Sequence, residues 1–236
     1  MKNPREQGPK QTDIVPVAKS TVPENPEDLN TLVPSFLSRL QTWGQACKNA
    51  LPYHYDNYGI GIRGTFGIKK MKHGFQPAEP FDSSSPNFVC NVTYEFNQFG
   101  HGEIDISGNN LLFDPETGGR IIRLTVTLRE ASIMEKDPPS TKQLIVRETY
   151  SDSSKSSLSG KTTTQQVIYK LLPGEEEFVA ERGEEPWDKA PDLTVDPMTD
   201  EHAKKLFDLV DLLLLGGDGK NIEKPKRRGL PAPQEE

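Results

Sequence analysis

Two cysteines in 236 residues, Cys47 and Cys90, are too few for a disulfide framework or a thiolate metal site. Both sit where the sequence reads as an apolar face, so free buried thiols in a reducing compartment are expected. Apolar residues supply only 33% of the chain, which suits one ordinary core diluted by polar tails and loops. No apolar run approaches membrane-spanning length. The densest is Leu212 to Leu215. The opening Met-Lys-Asn-Pro-Arg-Glu-Gln-Gly has no apolar segment of the secretory kind. A soluble, intracellular (cytoplasmic) protein without a membrane partner is therefore expected, and the Asn91-Val92-Thr93 sequon then has no use. A basic footprint is also missing. With a net charge of −7, nucleic acid is not an expected partner. The exception is a short knot holding Lys224, Lys226, Arg227 and Arg228, which resembles a nuclear-import string and leaves a nuclear location open.

The negative charge is concentrated. Between Pro173 and Pro197 nine acidic residues stand against two basic ones, and this segment also holds Phe178 and Trp187. An aromatic flanked by carboxylates has the form of a docking peptide. The alternative is that Trp187 pins the loop to its own core.

Alternation is plainest from Arg120 to Arg129. Ile122, Leu124, Val126 and Leu128 fall on one side, and Arg123, Thr125, Thr127 and Arg129 on the other. That is the period of a half-buried strand in an antiparallel sheet. Further strands are predicted over Tyr58–Lys70, Phe88–Asn97, Glu103–Ser107, Gln143–Tyr150 and Thr163–Leu172, making about six. A helix is predicted from Pro34 or a turn earlier, with Val33, Phe36, Leu37, Leu40, Trp43, Cys47 and Leu51 in one stripe. A second is predicted over Thr199–Leu215, capped by Thr199 and stopped by Gly216-Gly217. Strands in succession between two helices imply an α+β fold. In it an antiparallel meander is covered on one face by an N-terminal and a C-terminal helix. Helix-grip and cystatin-like shapes resemble this plan, which carries no activity with it. The expected organisation is a disordered tail over 1–28, one domain over 29–216 with its acidic Pro-rich loop at 173–197, and a disordered tail over 217–236.

Motifs that would carry chemistry lack their settings. Gly59-Ile-Gly61-Ile-Arg-Gly64 matches a dinucleotide string, but a helix precedes it and strand residues follow it. It reads better as a glycine-faced strand that another backbone or a ligand approaches. Ser159-Gly160-Lys161-Thr162 has Lys155 where a phosphate loop needs its first glycine. His54, His73, His101 and His202 show no metal spacing. Asp105, Asn109, Asn110 and Asp114 lack the order of a calcium loop and suit turns. No catalytic residue, cofactor or metal is assigned, and an enzyme of another kind is the third reading.

Three surfaces remain as candidates. Arg63, Arg123, Arg129 and Arg147 lie among threonines on the wet face of the sheet. This is either an anion or acidic-peptide surface or an ordinary soluble face. Leu209 and Leu212 broaden the second helix beyond one stripe and suit self-association, and with Phe178 and Trp187 they are the candidate partner-binding residues. Phe66, Tyr94, Phe96 and Tyr169 would line a pocket if the sheet and helices enclosed one. The leading expectation is a non-enzymatic assembly or adaptor subunit whose partner is a protein or a second copy. The alternative is a carrier of a small apolar ligand.

Overall fold

The computed structural model describes residues 28–50, 55–57, 61–82, 84–97, 101–108, 114, 116, 119–131, 135, 137–151, 162–182 and 195–216. Trp187, the basic string at 224–228, Leu51 and nearly all of both predicted tails lie outside them. Among the described residues two helices and ten strands follow in order: α1 (Leu29–Asn49), β1 (Tyr55–Asn57), β2 (Gly61–Met71), β3 (Gly74–Ala78), β4 (Phe88–Asn97), β5 (Gly102–Ser107), β6 (Arg120–Glu130), β7 (Lys142–Ser151), β8 (Thr162–Leu171), β9 (Val179–Glu181), β10 (Val195–Pro197) and α2 (Asp200–Leu215).

One sheet holds all ten strands, in the order β1-β2-β4-β5-β6-β7-β8-β10, with β3 also on β2 and β9 also on β8. Six are the expected long strands. The other four are short pieces that sit along the two outer long strands. Short edge strands, one of them carrying Pro77, leave little unpaired backbone on which another sheet could grow. Every pair is antiparallel except β8 with β10.

Both helices lie on the same face of the sheet. α1 begins earlier than Pro34: Asp28 caps it by accepting from the Asn30 N–H, and Pro34 is tolerated on the exposed side of the helix. Thr199 caps α2 by accepting from the His202 N–H at 3.1 Å, and Gly216 closes it in the left-handed region at φ 79°. Four aromatic rings, in three contacts, join the layers. Phe36 of α1 stacks on Phe207 of α2 at 3.9 Å, Trp43 meets Phe207 at 4.7 Å, and Phe36 meets Tyr169 of β8 at 5.9 Å. Two polar contacts tie the helices to each other: the Arg39–Asp208 ion pair at 2.7 Å, and the Trp43 indole N–H donating to Asp211 at 2.6 Å.

The register arranges the covered face in rows. Gly64, Tyr94, Ile104, Val126, Val146 and Val167 stand side by side across six strands. One strand departs from the expected alternation. A bulge between Ile121 and Arg123 turns Ile121 into the core and leaves Ile122 38% exposed. Ile122 was expected inside, and the extra residue of the bulge reverses the parity on its N-terminal side.

Candidate functional site

The row beside the aliphatic one reads Phe66, Val92, Ile106, Leu124, and then Glu148 and Gln165. Strand geometry thus places a carboxylate on the covered face, in phase with Val146. α2 starts directly above it. His202 is the third residue of that helix, and its side chain drops onto Glu148, with Nε2 2.7 Å from Glu148 Oε2. Asp114 enters from the segment between β5 and β6. Its backbone N–H donates to Gly119 O at 2.8 Å, and its Oδ1 accepts from the Glu116 N–H at 2.6 Å, an Asx turn that fixes the carboxylate. Its Oδ2 lies 3.9 Å from His202 Nε2.

All three side chains are buried: Glu148 is 0% exposed, His202 1% and Asp114 2%. One ligand atom from each lies within 4.8 Å of the others. Glu148 Oε1 and His202 Nδ1 have no hydrogen-bond partner. Glu116 Oε2 stands 3.7 Å from His202 Nδ1, and Lys205 is 3.7 Å from the other Glu116 oxygen. Burial pushes the Glu148 carboxyl above the usual carboxylate range and the Asp114 charge adds to this, while His202 opposes it. For His202, burial favours the neutral ring. The carboxylates of Glu148, Asp114 and Glu116 outweigh it and raise the imidazole above its ordinary value. Two groups that each hold a proton more tightly than usual share one short contact. The set can hold a proton in place, or it can hold a cation.

The residues singled out in the sequence are placed elsewhere. Phe66, Tyr94 and Tyr169 are buried in the core and Phe96 is partly buried against it. Tyr94 meets Phe66 at 6.2 Å and Phe96 at 6.3 Å. The four arginines are dispersed. Arg123 makes a bidentate pair with Asp105 at 2.9 Å, Arg129 binds Gln143 and Glu135, and Arg147 donates to Gln166 at 2.8 Å. Arg63 lines an open hollow of about 370 Å³ on the wet face with Thr65, Thr93, Glu95 and Glu103. Phe178 packs on the core beside α1, where Asn30 accepts from its N–H, and it lines a second hollow of about 220 Å³ with Leu37, Leu128 and Leu144. Leu209 leans on the core and Leu212 is partly exposed.

Of the glycine string, Gly59 and Ile60 lie outside the described residues, and Gly61 to Gly64 run as strand in β2. A Cβ at Gly67 would collide with the Glu79 carbonyl, and one at Gly61 would come within 2.6 Å of Phe96 O. Close backbone approach therefore explains these glycines.

Sequence spacing set aside Asp114 as a turn residue and His202 as a histidine without metal partners, and it passed over Glu148; the grouping is not legible because 34 and 54 residues separate the three along the chain. One signal existed. Glu148 has the inward parity of Leu144, Val146 and Tyr150, so a carboxylate was due on a buried face. No helix among the described residues is long and apolar enough to cross a membrane. Comparison of the chain with family models, with curated proteins and with solved structures gives no match in any of the three.

Proposed function

We propose that the protein is a non-enzymatic assembly subunit that works through contact with a second copy of itself. The observation that supports this reading is the way the interior is occupied. Phe36, Trp43, Tyr169 and Phe207 pack on one another between the layers, where a carrier would need free volume. The hollows at Arg63 and at Phe178 open outward instead. On α2, Leu212 sits partly exposed between Leu209 and Leu215, which lean on the core. An apolar residue there gains burial when a partner covers it, roughly 1.5–3 kcal/mol for a full leucine.

Light scattering across concentration, with native mass spectrometry on the same sample, tests the proposal. A defined oligomer that Leu212→Glu reduces to monomer is the expected result. A monomer at every concentration would overturn it, and a monomer carrying an apolar small molecule would favour the carrier instead.

A further inference from the structure

We propose that Asp114, Glu148 and His202 form a binding site for one divalent transition-metal cation, with Zn2+ as the reference ion. The inference is independent of self-association. It starts from the cost of what is seen. Buried carboxylate oxygens are almost always hydrogen-bonded, because an unpaired one forfeits its hydration without return. Here Glu148 is fully buried and its Oε1 has no hydrogen-bond partner. Two carboxylates and one imidazole, each at least 98% buried, bring their ligand atoms within 4.8 Å. A proton shared between Nε2 and Oε2 satisfies one pair of atoms and leaves negative charge in the core. A divalent ion takes that proton's place, draws all three donors and cancels the charge of both carboxylates.

The donor set selects the ion. One imidazole with two carboxylates suits Zn2+ and its neighbours in the first transition row. Ca2+ asks for six to eight oxygens and Mg2+ for an octahedron of oxygens, against one imidazole and two carboxylates here, whereas Zn2+ needs only one further ligand, such as a water, beside these three. The second nitrogen of the imidazole points the same way. Ligating histidines commonly turn their other N–H to an outer carboxylate, and Glu116 Oε2 stands 3.7 Å from Nδ1. Lys205, 3.7 Å from the other Glu116 oxygen, helps hold that outer carboxylate in position. Each of the three donors comes from a different part of the fold: the β5–β6 connection, the middle of β7 and the first turn of α2. An ion would therefore clamp α2 and the connection to the sheet.

The full chain, stripped with EDTA and transferred to chelator-free buffer, is titrated with ZnCl2 by calorimetry and followed by thermal unfolding. The expected result is one equivalent bound and a Tm raised by about 5–10 °C when free Zn2+ exceeds Kd a hundredfold. MgCl2 at the same concentration leaves Tm unchanged. Glu148→Gln keeps the side-chain shape and weakens binding by more than about 100-fold, since even outer-sphere changes cost 10- to 100-fold. His101→Gln, a surface control beside Glu130, binds as wild type. No stoichiometric binding to the folded wild type overturns the proposal and leaves a proton-sharing triad. Zn2+ binding that survives Glu148→Gln, or is lost in His101→Gln, overturns it as well by placing the ion elsewhere. Should Glu148→Gln fail to fold, Asp114→Asn takes its place, and the wild-type titration is decisive without either.

Discussion

At the scale of single residues, Asp211 shows how burial and hydrogen bonding compete. Burial raises its carboxyl above the ordinary 3.8, helped by the nearby Asp208 charge, while the Trp43 hydrogen bond and the Arg39 charge pull it down. A carboxyl raised in the folded state contributes stability that is present below 3.8 and is lost as pH rises through the folded value. Asp211→Asn keeps an oxygen for the Trp43 indole and removes that titration. Its stability relative to wild type should improve between pH 3.5 and pH 7, ending within about 1 kcal/mol of wild type. Asp211→Leu orphans the buried indole N–H and should cost about 1–3 kcal/mol. Urea melts of both variants across that range check the sign. The thiols give a simpler test. Burial drives both upward, Cys90 to about 12 and Cys47 further, so neither is a thiolate near neutrality. At pH 8 the folded protein should resist a thiol reagent, and two equivalents should react once denaturant is added.

At the scale of elements, glycine positions mark where backbones meet. Gly67 faces the Glu79 carbonyl across β2 and β3, and the Phe88 ring closes the same space. A methyl group there must displace backbone, so Gly67→Ala should cost about 1–3 kcal/mol with an unchanged denaturant slope. An unchanged urea midpoint would show that the strand gives way more easily than its neighbours suggest. The long elements were legible because each buries one regular face. Alternation in β4 through β8 and the stripes of α1 and α2 follow directly from period two and period 3.6. Less was legible where local rules are silent. Ile121 and Ile122 are both apolar, so nothing in the sequence says which one a bulge turns outward. The short strands β1, β3, β9 and β10 have three to five residues and exist only because a longer strand offers them an edge. The candidate site is the extreme case. Glu148 betrayed itself by parity, and His202 shares the inward side of α2 with Leu206 and Leu213. Asp114 reads locally as a turn residue, which its Oδ1 contact with the Glu116 N–H bears out, but nothing local brings it to Glu148.

At the scale of the whole molecule, the first and the last described elements, α1 and α2, close the core together. α1 and α2 are separated by 150 residues of sheet and loop, yet Phe36 and Phe207 stack at 3.9 Å and Trp43 reaches Asp211 at 2.6 Å. Neither helix can bury its stripe without the other, and the sheet's covered face needs both. Such long-range closure ties the layers into one cooperative unit and slows folding, because loop entropy is lost before the contacts form. Phe207 is 0% exposed and touches both Phe36 and Trp43. Phe207→Ala removes the ring on which the layers meet and should cost about 3–5 kcal/mol. In a Trp187→Phe background that leaves Trp43 as the single tryptophan, far-ultraviolet circular dichroism and fluorescence should then fall together, in one transition at lower denaturant. If the helices melted first and left the sheet intact, the two signals would separate. The sheet would then be the independent unit, and α1 and α2 a cover laid on it afterwards.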